Sequence, residues 1–204
     1  MKKSYFQRTY NVTIFLVMFV ILIFGLGYVT KFLSEVLRNN QIDGASEFFS
    51  LVIEKLLLIS AYAYKAGLVL VFALAVLVGV EFYQRIVLDS LLNYLKSIYQ
   101  TIRLRIFLKQ EFTYESMMTI ENQTVNHQNP VMIQFNKAVR WSIVDVQKEE
   151  VKVLLKVPRT QQAQKLFKEM EDDIREEISN RNPKYYFSTP NRDGNKLWFT
   201  GTKR

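Results

Sequence analysis

The sequence predicts a membrane α-hairpin of two transmembrane helices, a juxtamembrane helix and a small cytoplasmic α+β domain of order β-β-β-α-β-β. Three observations predict it. Two long apolar runs lie before residue 85, whereas the rest of the 204-residue chain mixes apolar and polar residues. The basic excess sits in the first part: residues 1–110 hold 12 Lys/Arg against 6 Asp/Glu, and residues 111–204 hold 15 against 13. From about Glu111 the apolar stretches shorten to strand length. The division is 1–11 cytoplasmic tail, 12–83 hairpin, 84–110 basic amphipathic helix and 111–204 α+β domain.

The first run, Val12–Thr30, is nineteen residues without a charge, about 28 Å as a helix and close to the bilayer hydrocarbon thickness. Lys2, Lys3 and Arg8 precede it, as in a signal peptide. It exceeds the usual apolar region of such a peptide, about 7–15 residues. Lys31, Phe32 and Leu33 follow it instead of a small-residue cleavage site, so a retained helix is predicted. The second run, Leu51–Val80, is interrupted by Glu54, Lys55 and Lys65, and is cleanest from Ala66 to Val80. A span over Ala66–Tyr83 puts Tyr62, Tyr64 and Lys65 at the outer interface, where aromatic rings and snorkelling lysines belong. A span shifted to Leu56–Leu77 buries Lys65 in the bilayer, a costly position that would signal function. The interfacial placement is preferred. Ala63/Gly67 and Ala75/Gly79 are small residues at four-residue spacing, suited to helix packing.

Orientation follows from the flanks. Lys2, Lys3 and Arg8 lie before the first span; Arg85, Lys96, Arg103, Arg105 and Lys109 follow the second against Asp89. The positive-inside rule places both termini in the cytoplasm, as a multi-pass protein of the cell (inner) membrane whose first partner is the lipid bilayer. Membrane anchoring and orientation are assigned to Lys2, Lys3, Arg8, Lys65, Arg85, Arg103, Arg105 and Lys109. In residues 84–110, Ile86/Val87, Leu91, Leu95, Ile98 and Ile102 recur at helical spacing. With neither Pro nor Gly, this segment is predicted to continue directly from the second span. Its basic part suits anionic lipid, and its apolar stripe equally suits a homo-oligomer seam.

Beyond Glu111, Phe112–Ile120 reads as a strand and Glu121–Pro130 as a polar loop ended by Asn-Pro. Val131–Phe135 and Val139–Val146 read as extended. After a turn at Gln147–Glu150, Val151, Val153, Leu155 and Val157 alternate with Lys152 and Lys156, the pattern of a half-buried strand. Ala163, Leu166, Phe167, Met170, Ile174 and Ile178 form one face of a single helix over Thr160–Arg181, stopped by Asn182–Pro183. Tyr185–Thr189 and Leu197–Thr200 read as strands around an Asn-Arg-Asp-Gly-Asn loop.

The chemistry available is narrow. There is no Cys, and His127 is the only histidine, which excludes disulfides, thiolate zinc sites, Cys nucleophiles and His-pair metal centres. The seven glycines form no P-loop or dinucleotide fingerprint. His127 reads as an exposed loop residue. Glu169, Glu171, Asp172, Asp173, Glu176 and Glu177 read as a solvated helix face. No catalytic, metal or cofactor residue is assigned, and the chain is not read as an enzyme. Tyr185, Tyr186, Lys196, Trp198, Lys203 and Arg204 interleave bases with aromatics. Core packing in strands is the preferred reading of these aromatics, a partner surface the next, and nucleic acid the least favoured.

The stretch VPRTQQAQKLFKEMEDDIREEISNRNP and the ending KLWFTGTKR, behind a hairpin and a juxtamembrane helix, resemble in layout the N-terminal, pre-motor region of FtsK/SpoIIIE-like conjugative coupling proteins. The motor of that family is missing, so the resemblance implies no translocase activity. It implies a non-enzymatic adaptor beside a coupling ATPase, in a DNA-transfer (conjugation) or secretion machine. The competing expectation is an effector whose cytoplasmic domain senses a small nucleotide-like ligand and drives membrane permeabilisation.

Overall fold

The computed structural model describes residues 1–39, 46–110, 114–118 and 124–204. Two compact units emerge, Arg8–Tyr83 and the discontinuous set Met1–Gln7 with Gln84–Arg204. The second unit therefore begins at the chain's first residues and takes in residues 84–110, where sequence reading started the domain at Glu111.

Two long helices, α1 (Tyr5–Asn39) and α2 (Ser46–Leu88), supply the first unit. At 35 and 43 residues they measure about 52 and 64 Å, and both are long and apolar enough to cross a membrane. Only 6% and 11% of their most apolar stretches is buried, whereas a core helix of a soluble protein hides most of its surface. Within this unit the helices approach closely at glycine. A Cβ on Gly67 would lie 2.9 Å from the Phe24 ring, and one on Gly27 would lie 3.3 Å from the Ala63 Cβ. Ala63 and Gly67 are thus spent on packing between α1 and α2. Ala75 and Gly79 are exposed, and nothing lies within 4 Å of a Cβ on Gly79.

The α+β unit continues with α3 (Leu91–Leu108), β1 (Tyr114–Met118), β2 (Thr124–Gln128), α4 (Pro130–Val139), β3 (Ile143–Val146) and β4 (Glu150–Lys156). It ends with α5 (Gln161–Glu169), α6 (Glu171–Arg181), β5 (Tyr185–Phe187), β6 (Asn191–Asp193) and β7 (Lys196–Lys203). β1 and β2 pair as a separate antiparallel ribbon. The main sheet is antiparallel in the order β3-β4-β7-β5, with β6 also on β7. β5 and β6 occupy successive parts of β7's edge, separated by Ser188–Pro190. Gly194 turns β6 into β7 at φ +59°, a left-handed conformation open to glycine without strain.

The core lies between one sheet face and the helices. Val144 and Val146, Val151, Val153 and Leu155, and Leu197 and Phe199 point into it, against Leu104 and Leu108, Phe135 and Val139, Ala163 and Phe167, and Ile174 and Ile178. Alternation in β4 is what the sequence showed: Val151, Val153 and Leu155 are fully buried.

Several local expectations are corrected. Val131–Phe135 is helical, because Asn129 accepts from the Val131 N–H at 2.9 Å and Pro130 occupies the first turn, so Asn-Pro starts α4 instead of ending a loop. Only Ile143–Val146 of the predicted Val139–Val146 strand is extended. The helix predicted over Thr160–Arg181 is two helices hinged at Met170, with Glu171, Asp172 and Asp173 favourably placed in the first turn of α6. His127 lies on β2, in register with Glu115, and not in a loop. Residues 112–113, 119–120 and 121–123 of the predicted strand and loop fall outside the described residues. The order β-β-β-α-β-β is accordingly replaced by the one above, while a helix pair with a small α+β domain stands.

Candidate functional site

A densely connected polar site lies around Arg85, just after the second apolar helix enters the α+β unit at Gln84. The second apolar helix does not run on into residues 91–108. Ser90 is extended (φ −151°, ψ 140°) and its hydroxyl accepts from the Leu92 N–H at 3.3 Å, a side-chain cap that ends one helix and starts the next without Pro or Gly. Arg85, one turn before this break, is 4% exposed. Its guanidinium donates to Asp145 Oδ1 at 2.5 Å, to Asp89 Oδ2 at 2.5 Å and to the Val146 carbonyl at 2.9 Å. It also lies 5.6 Å from the centre of the Phe6 ring. Asp89 in turn accepts from Asn93 Nδ2 at 2.6 Å and from the Lys148 N–H at 2.8 Å, and Asp145 accepts from Gln147 Nε2 at 2.9 Å. A planar fork with several donors can serve three acceptors at once, a task for which a lysine is a poor substitute.

This corrects the role expected of Arg85. It is not an anchor at the lipid surface, because two carboxylates and a carbonyl hold it inside the unit. The N-terminal residues join the same region. Ser4 and Gln7 form a reciprocal capping box, Gln7 N–H to Ser4 Oγ at 3.2 Å and Ser4 N–H to Gln7 Oε1 at 3.3 Å. Gln7 Nε2 then donates to the Lys152 carbonyl of β4 at 3.1 Å, and Phe6 meets Tyr94 edge-on at 5.7 Å. The spacing Ser-x-x-Gln was the sequence signal that could have revealed this contact.

Helix α3 closes the open edge of the sheet with side chains. Ser97 Oγ accepts from the Val146 N–H at 2.8 Å, Thr101 Oγ1 accepts from the Val144 N–H at 3.0 Å, and Arg105 Nε donates to the Ser142 carbonyl at 2.9 Å. The match is geometric: four residues of helix rise about 6.0 Å and two residues of strand about 6.6 Å, so a four-residue helix row tracks alternate strand residues. Arg105 is therefore a structural donor, while Arg103 and Lys109 are exposed. A reciprocal amide pair, Gln100 with Asn182 at 2.8 and 3.0 Å, fastens the flank of the same inward side of α3 to the end of α6.

The remaining candidates scatter. Lys2 and Lys3 precede α1 and Arg8 lies in its second turn. Lys65 is exposed, with Nζ 5.9 Å from the Tyr62 ring centre. Tyr62 lies one turn nearer the N-terminal end of α2, the direction in which helical side chains lean. Trp198 is 1% exposed, in a row with Ile143 and Leu154 across three strands; it packs inside, as preferred for these aromatics, and is removed from the possible partner surface. Tyr185 is half-buried and donates to the Gln147 carbonyl at 2.8 Å; burial pushes its phenol above the usual value, with Lys203 opposing. Tyr186, at 64% exposure, and the exposed Lys203 and Arg204 remain available to a partner, with Lys196 half-buried. Among the described residues no group of His, Asp or Glu is placed to hold a metal ion.

Replacing Thr101 with Val keeps the shape but leaves the buried Val144 N–H without its acceptor. A loss of about 1–3 kcal/mol is expected in urea unfolding of the detergent-solubilised chain followed by tryptophan fluorescence, whereas Thr101→Ser stays near wild type. Equal stability for Thr101→Val and wild type would contradict the edge-closing role. No family model, curated protein or solved structure matches this chain.

Proposed function

We propose that this chain is a non-enzymatic, membrane-anchored adaptor. Its hairpin crosses the cell membrane, both termini lie in the cytoplasm, and the α+β unit offers a surface to a cytoplasmic component of a DNA-transfer or secretion machine, such as a coupling ATPase. The observation that carries the reading is that Met1–Gln7 and Gln84–Arg204, the segments flanking the apolar hairpin on both sides, belong to one compact unit. An even number of crossings is the arrangement that leaves both flanks on one side. The clustering of Lys2, Lys3, Lys96, Arg103 and Lys109 on these flanks agrees with a cytoplasmic side. Anchoring would raise the local concentration of the binding surface at the membrane without chemistry by this chain.

A second reading, a sensor of a small anionic ligand, draws on a cleft of about 240 Å³ beside the start of α5. Lys137, Lys156 and Arg159 line it, and no acid is among its lining residues.

Because the chain has no Cys, single cysteines report topology directly. A membrane-impermeant maleimide added to intact cells should label Asp43→Cys and spare Lys184→Cys; the reverse pattern would overturn the orientation. For the adaptor role, the full-length tagged protein extracted from its native membranes should recover a coupling ATPase or relaxase, and the Tyr186→Ala, Lys203→Glu, Arg204→Glu variant should lose it. Recovery of neither, together with thermal stabilisation by added nucleotide, would overturn the adaptor in favour of the sensor.

A further inference from the structure

Helix α3 carries more apolar surface than the core takes up. Its inward side is mixed: Leu104 and Leu108 enter the core, while Ser97, Gln100 and Thr101 are buried and spent on β3 and on Asn182. A second apolar stripe faces out. Leu91, Leu92, Leu95, Tyr99, Ile102 and Ile106 recur at helical spacing and are 44–76% exposed, in one continuous stripe about 22 Å long. Since the hydroxyl row and the Gln100–Asn182 pair fix the helix rotation, the stripe cannot turn inward. A contiguous apolar surface of this kind on a water-facing domain marks a contact.

We propose that α3 is an interfacial helix whose stripe rests in the cytoplasmic leaflet, with Lys96, Arg103 and Lys109 on anionic phospholipid headgroups. The charges choose between lipid and a second copy of the chain. Lys96 and Arg103 lie together on one flank of the stripe, both exposed, and no acid occurs from Ser90 to Gln110. A symmetric seam between two copies brings like charges to the same boundary with no acid in the helix to answer them, whereas an anionic bilayer surface answers them all. Apolar stripe, basic flank and absence of acid are the composition of helices that lie in the headgroup region. The helix follows the second apolar helix after a break of only Asp89 and Ser90, so a bilayer surface is held nearby. The inference rests on the hairpin reading and specifies how the unit that follows it meets the membrane.

The test uses the full chain in lipid nanodiscs, with an environment-sensitive fluorophore on single cysteines at Leu95, Ile102, Lys184 and, near the middle of the second span, Val76, which is exposed. With phosphatidylcholine and phosphatidylglycerol in the disc, nitroxide lipids labelled near the headgroup should quench Leu95→Cys and Ile102→Cys and leave Lys184→Cys unquenched. The Lys96→Glu, Arg103→Glu variant should lose that quenching while Val76→Cys stays quenched by deeply labelled lipid. Quenching at Val76→Cys with none at Leu95→Cys and Ile102→Cys overturns the interfacial helix and leaves the hairpin standing. No quenching at Val76→Cys overturns both. Cross-linking between copies through Leu95→Cys, without lipid quenching, overturns the proposal in favour of a homo-oligomer seam.

Discussion

A guanidinium removed from water must recover its lost hydration from fixed acceptors, and that constraint on Arg85 organises this structure. Desolvating a charge costs several kcal/mol, a large share of a small domain's stability margin, and Asp145, Asp89 and the Val146 carbonyl offset that cost for Arg85. The acceptors come from two pieces of chain: Asp89 from the break between α2 and α3, Asp145 and Val146 from the edge strand. One side chain thereby fixes where the second long helix ends, how the next departs and which strand lies against it. Arg85–Asp145 and Arg85–Asp89 are structural ion pairs, with each carboxylate receiving further hydrogen bonds that complete its coordination.

From this node the placement of α3 follows. An edge strand exposes unpaired N–H and C=O groups, and proteins commonly cover it with charge, bulges or a packed element. Here the cover is a helix whose four-residue rows of Ser97, Thr101 and Arg105 replace the missing strand. With this row, Leu104 and Leu108 turned inward, the stripe that holds Leu95 and Ile102 is left facing outward. The same sequence in an ordinary amphipathic packing would have buried Leu95 and Ile102 and exposed Thr101.

The long apolar helices, β4 and the terminal hairpin were legible because each has a strong pattern or a single permissive turn residue: apolar runs of spanning length, alternation of Val151, Val153, Leu155 and Val157 broken only by Leu154, and Gly194. Where two local signals compete, reading the sequence went astray. Asn129–Pro130 is both a loop ending and a helix start, and only the Asn129 side-chain bond to Val131 decides between them. Met170 continues an apolar helical face while serving as a hinge, which no periodicity of the face reveals. Arg85 was misplaced because its burial depends on a partner 60 positions away, information that composition and spacing do not carry; the same lack left Trp198 open between core and surface. The apolar stripe of residues 84–110 was visible in the sequence, but its outward direction depended on hydroxyls that looked unremarkable among leucines.

The most direct test of the central claim is a double-mutant cycle between Arg85 and Asp145, using Arg85→Met, Asp145→Leu and the pair, in the detergent-solubilised full chain unfolded with urea. Each single change strands a buried charge and is expected to cost about 3–5 kcal/mol, and the double variant is expected to be more stable than the sum of the two losses by at least about 1.5 kcal/mol. Additive losses, or single variants as stable as wild type, would contradict the account.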